Sequence, residues 1–237
     1  FWTTAWQNQP LPASPKAMAS SKVLALFGGD TKLQKELESG VAKAISARLL
    51  WIRAGNAYRS MGHDVWEIIP GNRADYQELF DDWAAQGLLP ETVIYYRPHG
   101  EVASRSVDIA EALAHGLFSL VNLIQELHRH HVPKSRILYL YENGQDSNDG
   151  LSDGLGIALD SALAGFGRCV MQESPKLNCQ FVGVPVGQTP QAVAAIVTAE
   201  LSSHEAAGEV CYTGTERRVK HLMPLTLATT GTTILRN

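Results

Sequence analysis

Glycine-rich turns are the residues of this chain whose spacing comes nearest to a known chemistry, the binding of a dinucleotide. That chemistry needs Gly-x-Gly-x-x-Gly between a strand and a helix, because the backbone there must approach the pyrophosphate closely. The turn at 27–30 follows the first predicted strand, but its glycines are adjacent and Asp30 would place a negative charge beside a phosphate. Two Gly-x-Gly pairs, at 154–156 and 165–167, fall inside a predicted helix, where small residues favour close packing. We therefore assign no cofactor-binding residue.

Tyrosine and histidine patterns do not assemble a catalytic or metal site in the sequence. A reductase tyrosine needs a lysine four residues further along a helix, and none of the seven tyrosines has one. The nearest match, Tyr139 followed by Asn143, falls in a predicted strand, where this spacing places nothing on a shared helix face. The His-Arg-His-His cluster at 128–131 contains no carboxylate and ends a helix, so it is expected to be structural. We assign no catalytic and no metal-binding residue.

Two groups of neighbouring charges are expected to be solvated. Asp81 and Asp82 are adjacent on a predicted helix and therefore point apart, which indicates surface charge. Arg217, Arg218 and Lys220 form a compact basic group that is predicted to be the solvated end of a strand.

Composition is typical of a soluble globular protein and excludes several function classes. The chain has 237 residues, 45% of them apolar and 19% charged, with a net charge of −4. The slight acidity argues against nucleic acid as a partner, because phosphates require a basic face. No apolar run approaches the roughly 20 residues that span a bilayer, so no membrane association is predicted. Three widely spaced cysteines predict no disulfide framework, which favours the reducing cytoplasm.

The elements that would hold functional groups alternate between short apolar strands and longer amphipathic helices. Predicted strands cover 22–27, 49–52, 64–69, 92–96, 136–141, 180–184, 210–212 and 219–225. Predicted helices cover 31–47, 74–86, 104–130, 152–171 and 189–202. This alternation implies βαβ crossovers and a mainly parallel sheet with helices on both faces. The fold prediction is α/β, a truncated Rossmann-like core over residues 22–225.

Flanking segments lie on both sides of the predicted core. Residues 1–6 are predicted to form an aromatic edge strand, and residues 7–21 a connector rich in Pro, Ser and Ala. Residues 226–237 are predicted to be a linker. Both ends read as cut, so we expect the chain to be a piece of a longer protein. Phe1, Trp2 and Trp6 are costly to expose and are the predicted contact with a neighbouring subdomain.

Four stretches taken together resemble a known family. They are the strand 1–6 before its connector, 75–80 with 87–90 and 93–96, 163–168 with 173–175, and 209–212 running through 217–219 to 224–225. In this order and spacing the chain resembles the structural, non-catalytic subdomain of a ketoreductase from a modular polyketide synthase, of the trans-acyltransferase type. The segments 97–99 and 146–153 depart from the family pattern.

The resemblance implies a division of labour between two halves of a ketoreductase. The glycine-rich NADPH loop and the Ser-Tyr-Asn/Lys set belong to the catalytic half, which would begin just after Asn237. It implies that this chain is not itself an enzyme and holds no cofactor, whereas the parent performs β-ketoacyl reduction. The partners implied are the adjoining catalytic subdomain, the other synthase domains and, indirectly, the acyl carrier protein.

Two other functions remain open from the sequence. One is a free-standing nucleotide-dependent oxidoreductase or methyltransferase that uses the degenerate glycine loop at 27–31. The other is a docking module in which Arg217, Arg218 and Lys220 receive the phosphopantetheine arm of a carrier protein.

Overall fold

The described part of the chain folds around a ten-stranded sheet. The structure is a computed structural model and describes residues 2–11, 22–97, 109–143, 153–203 and 208–224. The strands are β1 (Trp2–Asn8), β2 (Val23–Gly28), β3 (Arg48–Ala54), β4 (Arg59–Gly62), β5 (Val65–Ile68), β6 (Thr92–Arg97), β7 (Ser135–Asn143), β8 (Leu177–Pro185), β9 (Glu209–Thr213) and β10 (Glu216–Pro224). Their spatial order is β1-β10-β9-β8-β7-β6-β2-β3-β5-β4. The seven strands from β9 to β5 are parallel to one another, whereas β10, β1 and β4 pair antiparallel.

Helices connect the parallel strands and cover the sheet. They are α1 (Thr31–Leu37), α2 (Arg73–Gln86), α3 (Ile109–Leu113), α4 (Ser119–Arg129), α5 (Asp153–Glu173) and α6 (Pro190–Ser202). A π-helical turn, Glu38–Ala42, extends α1, and another, Ala114–Phe118, joins α3 to α4. Local sequence sets the helix ends: Asn72 and Thr189 cap α2 and α6 through their side chains, and Gly87 ends α2 in the left-handed conformation at φ 69°.

Two apolar clusters lie on opposite faces of the sheet, as the parallel topology requires. One cluster packs β-strand side chains against α2, α4 and α5, and we call that side of the sheet the α5 face. The other packs against α1 and α6 and lies on the α6 face. The predicted α/β fold, with a mainly parallel sheet and helices on both faces, is confirmed.

The clearest differences from the sequence predictions are at β1 and β4. β1 runs to Asn8, so the edge strand extends two residues into the predicted connector, because Gln7 and Asn8 still pair with β10. β4 was not predicted, since Arg59–Gly62 is short and exposed and shows no alternation of apolar and polar residues. The predicted helix at 104–130 is described from Ile109 onward, and its first five residues lie outside the described residues.

The glycines of α5 pack the helix closely against the sheet. A Cβ on Gly167 would lie 2.2 Å from the Phe181 ring, so only glycine allows this helix to reach β8. A Cβ on Gly165 would meet only the end of the Arg168 side chain, at 3.7 Å. The packing role predicted for the pair at 165–167 is therefore confirmed for Gly167.

Alanine substitutions at these two glycines should have opposite effects. Gly167→Ala should lower the free energy of unfolding by about 1–3 kcal/mol, because its methyl group overlaps the Phe181 ring. Gly165→Ala is the matched control and should raise it by up to about 1 kcal/mol, since alanine favours the helix. Urea unfolding of both variants measures the two values. Equal effects would contradict the close approach.

Candidate functional site

A crevice opens where a Rossmann-like sheet binds its ligand, at the point where the strand order reverses around β2. It has a volume of about 650 Å³ and lies beyond the carboxyl ends of β2, β3 and β6, with the start of α6 as its far wall. Its floor is the turn Gly28-Gly29, where both residues have positive φ, at 79° and 73°. A Cβ on Gly28 would lie 2.3 Å from the Tyr96 carbonyl oxygen, so this turn requires glycine to let β2 pass β6.

The anion position of this crevice is filled by the chain itself. The first backbone N–H groups of a helix are where a phosphate would bind. Here one Asp30 oxygen accepts hydrogen bonds from the amides of Lys32, at 3.0 Å, and Leu33, at 2.8 Å. A phosphate at this place would have to displace the carboxylate and would be repelled by its charge. Asp30 therefore places its negative charge at the start of α1, as predicted from the sequence.

The wall formed by β3 is also committed to internal contacts. The indole N–H of Trp51 donates to the Gly28 carbonyl oxygen at 2.9 Å, which holds the ring against the crevice floor. The Arg53 guanidinium lies 5.3 Å from the centre of that ring and pairs with Glu67 at 3.0 Å. The one guanidinium among the crevice-lining residues is therefore neutralised locally.

A row of aromatic rings fills the α5 face of the sheet at the same level. Phe27, Tyr95, Tyr139 and Phe181 are direct register partners on four adjacent strands. Their neighbouring ring centres lie 5.8, 5.0 and 5.5 Å apart. Burial raises the pKa of Tyr139 far above its usual range, so this phenol is a poor acid. Tyr139 and Asn143 both lie on strand β7, as predicted, so their spacing of four residues does not place them on a shared helix face.

A buried ion pair lies next to this aromatic row, towards the carboxyl end of β6. The Arg97 guanidinium at the end of β6 bonds the Asp160 carboxylate on α5, and both side chains are largely buried. Burial raises the pKa of Asp160 from 3.8 to about 6, while Arg97 opposes part of that rise. The pair joins the carboxyl end of the sheet to the helix above it.

Cysteine and histidine side chains also serve packing. Burial raises the pKa of the Cys179 thiol to about 12, the opposite of what an activated nucleophile needs. His128 shares a hydrogen bond with Ser174 at 2.6 Å, and His130 lies 3.3 Å from Asp81. Within the described residues, no group of three or more His, Cys, Asp or Glu is arranged to hold a metal ion.

The surface-charge prediction for Asp82 is wrong. Its carboxylate accepts hydrogen bonds from the Tyr58 hydroxyl at 3.1 Å, the Trp66 indole at 3.0 Å and Gln86 at 2.9 Å. Its neighbour Asp81 does face solvent, as predicted, and pairs with Arg129. The helix position alone did not reveal that two aromatic donors on other elements converge on Asp82.

The first strand presents two of the three predicted contact residues at the edge of the sheet. Trp2 is 66% exposed, and Trp6 is half-buried beneath the Lys220 ammonium, 5.6 Å from the ring centre. Phe1 lies outside the described residues. The contact predicted for Phe1, Trp2 and Trp6 with a neighbouring subdomain stays a prediction.

A buried carboxylate anchors this edge to the core. Glu200 on α6 is fully buried and accepts hydrogen bonds from Gln180 and Tyr212, each at 2.6 Å. Arg217 on β10 binds the same carboxylate through two nitrogens, at 2.6 and 3.1 Å. Arg217 also donates to the Gln9 carbonyl oxygen at 3.0 Å, so one side chain fixes both β10 and the exit of β1.

The predicted solvated basic group is therefore corrected. Arg217 is only 4% exposed and belongs to the Glu200 network, and Lys220 pairs with Glu209 at 2.8 Å. Arg218 alone is half-exposed, and it pairs with Glu216 at 3.1 Å. Side chains alternate between the two faces of the sheet along β10. Arg217 therefore points to the α6 face, whereas Arg218 and Lys220 point to the α5 face. The three basic side chains are therefore each paired with a carboxylate and do not form one solvated patch.

Comparisons with known proteins place the chain in a family. The family model described as "Beta-ketoacyl synthase-like, N-terminal" matches residues 22–200. The chain belongs to this family. No curated protein matches this beta-ketoacyl synthase-like chain in sequence. No described helix is long and apolar enough to cross a membrane.

Solved structures with the same fold are ketoreductases and short-chain dehydrogenases. An N-terminal ketoreductase from the macrolactin assembly line is 18% identical, with a TM-score of 0.77 over 98% of this chain and 46% of that one. A keto acid-selecting NRPS module with adenylation, ketoreductase and pseudo Asub domains is 18% identical, with a TM-score of 0.75 over 94% of this chain and 18% of that one. A short-chain dehydrogenase from Leptospira borgpetersenii with bound NAD+ is 13% identical, with a TM-score of 0.61 over 86% of this chain and 95% of that one.

The low sequence identity of these structures limits the resemblance to the fold. The beta-ketoacyl synthase-like chain spans less than half the length of the first two structures, both of which contain a ketoreductase. The resemblance to the structural subdomain of such ketoreductases is confirmed for the fold. The trans-acyltransferase type stays a prediction.

Stability should depend on pH through Asp160. Because the folded state holds the Asp160 proton more tightly than the unfolded chain does, this group's contribution is largest below about pH 4 and is lost as the pH rises through about 6. Relative to Asp160→Asn, the parent chain should lose on the order of 2–3 kcal/mol of unfolding free energy between those limits. Urea titrations at several pH values measure it. A constant difference between the two proteins would contradict the raised pKa.

Neutralising the buried carboxylate should be costly. Glu200→Gln leaves the Arg217 cation buried without a counter-charge and should lower the unfolding free energy by about 3–5 kcal/mol. Glu216→Gln is the control, because its pair with Arg218 is solvent-exposed and should contribute less than about 1 kcal/mol. Denaturant unfolding compares the two variants. Similar losses would show that the buried network does not anchor this edge.

Proposed function

We propose that this chain is a non-catalytic structural subdomain that stabilises the NADPH-dependent half of a modular polyketide synthase ketoreductase. The chain itself would bind no cofactor, and NADPH would bind the catalytic half. The proposal places the protein in the cytoplasm, next to the catalytic subdomain and the other synthase domains. The acyl carrier protein would be an indirect partner through the parent's β-ketoacyl reduction.

The observation that carries this proposal is the exposed edge formed by β1 and β10. Trp2 and Leu222 are each 66% exposed, and they lie on two paired strands that the Glu200 network holds in place. Large side chains held rigidly at the surface are typical of an interface. Fully burying a side chain of this size contributes roughly 1.5–3 kcal/mol, enough to stabilise an adjoining half.

Side chains of this chain lie where a nucleotide would bind, which favours a structural role over a catalytic one. The Asp30 carboxylate takes the amides that a phosphate would use, and Trp51 closes the crevice floor. On the other face, aromatic side chains and the pair of Arg97 with Asp160 occupy the carboxyl ends of β6 and β7. The rival function, a free-standing oxidoreductase or methyltransferase that uses the loop at 27–31, requires an anionic or nucleoside ligand to enter this crevice.

Joining the chain to its catalytic half should stabilise both. A protein that continues past Asn237 in the parent gene should melt at least about 4 °C above the chain alone, because the exposed edge becomes buried. Calorimetry of the two proteins measures the difference. No gain on extension would contradict the proposal.

Cofactor titrations separate the proposal from its rival. Calorimetric titration of the 237-residue chain with NADPH or S-adenosylmethionine should show no saturable binding. The longer protein should bind NADPH. Saturable micromolar binding to the chain alone would favour the free-standing enzyme.

A further inference from the structure

The β1 and β10 edge has two faces, and only one of them is covered. Val219 and Arg217 point to the α6 face, where Val219 joins the apolar cluster and Arg217 binds Glu200 on α6. The intervening residues of β10 therefore point to the α5 face. Register partners share a face, so Trp2, opposite Pro224, lies on that side as well.

We define the tryptophan surface as the part of the α5 face made by Trp2, Trp6, Lys220 and Leu222. Trp6 is the register partner of Lys220, and Leu222 is the partner of Thr4, so the four side chains are neighbours on two strands. Two of them, Trp2 and Leu222, are largely exposed. The surface is apolar at its centre and carries a cation at its side.

The helix layer of the α5 face stops before it reaches this surface. α5 covers β8 through Gly167, and its Arg168 reaches sideways to Glu209 on β9. None of the helices described in 109–143 or 153–203 continues over β10 and β1. Inner strands of such sheets are covered by helices on both faces, and within the described residues the α5 face of β10 and β1 has room for one further helix.

The charged residues that border the tryptophan surface indicate which side chains the docked helix should carry. Arg168, Arg218 and Lys220 border the surface, whereas Glu209 and Glu216 are the carboxylates that pair with them. The border therefore has one more positive than negative charge. A helix that lies here should present an apolar stripe to Trp2 and Leu222 and acidic residues beside the cations.

We infer that the tryptophan surface docks one amphipathic helix with an acidic flank, supplied by the catalytic half of the same ketoreductase. This inference rests on the proposed function and adds the face and the chemistry of the contact. It predicts that the α5 face of β1 and β10, rather than their α6 face, makes the contact between the two halves.

Glutamate substitutions on the two faces test it. In the longer protein, Trp2→Glu and Leu222→Glu should each lower the melting temperature by about 4 °C or more, because each buries a charge beneath the helix. Thr3→Glu is the matched control, since Thr3 is exposed on the same strand and points to the opposite face. It should shift the melting temperature by less than about 1 °C.

A charge reversal at one position tests the chemistry of the partner. Trp2→Lys removes the same apolar contact as Trp2→Glu, but its long side chain can extend from the apolar stripe to the acidic residues beside it. The lysine variant of the longer protein should therefore melt above the glutamate variant. An equal or lower melting temperature for Trp2→Lys would overturn the acidic flank.

Three outcomes would overturn the docked helix and still leave the proposed function separately testable. Equal effects of Trp2→Glu and Thr3→Glu in the longer protein would exclude this face, even if extension itself stabilises the chain. A large effect of Leu222→Glu on the 237-residue chain alone would show that the chain covers the surface itself. A concentration-dependent dimer in analytical ultracentrifugation, lost in Trp2→Glu, would show that a second copy binds there.

Discussion

A buried carboxylate on α6 holds the β1 and β10 edge of the sheet, which is the edge that we propose contacts the catalytic half. Glu200 has no contact with solvent, and four hydrogen bonds from three side chains converge on its two carboxylate oxygens. Arg217 supplies two of these hydrogen bonds. It also donates a hydrogen bond to the carbonyl oxygen of Gln9, just after β1 ends. β10 pairs with β9 only as far as Val219, so the rest of this edge is a two-stranded ribbon with β1, and such ribbons are marginally stable alone.

The crevice lies where this fold binds dinucleotides elsewhere, and two of its lining side chains, Asp30 and Trp51, make internal hydrogen bonds. Asp30 provides the anion at the start of α1, Trp51 provides the ring on the crevice floor, and stacked phenol and phenyl rings fill the opposite face. Each of these side chains stabilises the fold by itself, because it satisfies backbone amides or buries apolar area. A Rossmann-like architecture therefore predicts a place for a ligand, while the residues at that place decide whether one can enter.

Local signals in the sequence predicted most of the fold, and long-range contacts account for what it missed. The apolar spacing of α2 and its stop at Gly87 were visible, because capping and amphipathicity act within a few residues. The pairing of Glu200 with Arg217 was not, since nothing in the spacing of 17 residues shows that β10 returns beside α6. Asp82 was misjudged for the same reason. Sequence indicated the charge of Asp30 at the glycine turn and the aromatic character of β1, but the face on which Trp2 lies required the register with β10.

Hydrogen exchange at the backbone amides of β1 and β10 tests the central claim most directly. The measurement compares the 237-residue chain alone with the longer protein that includes the catalytic half. If this chain is a support that becomes complete on docking, amides of Trp2–Asn8 and Glu216–Pro224 should gain protection in the longer protein, while those of β2 at the crevice should not change. Unchanged exchange at β1 and β10, together with NADPH-dependent protection of the Gly28-Gly29 turn in the chain alone, would contradict the account.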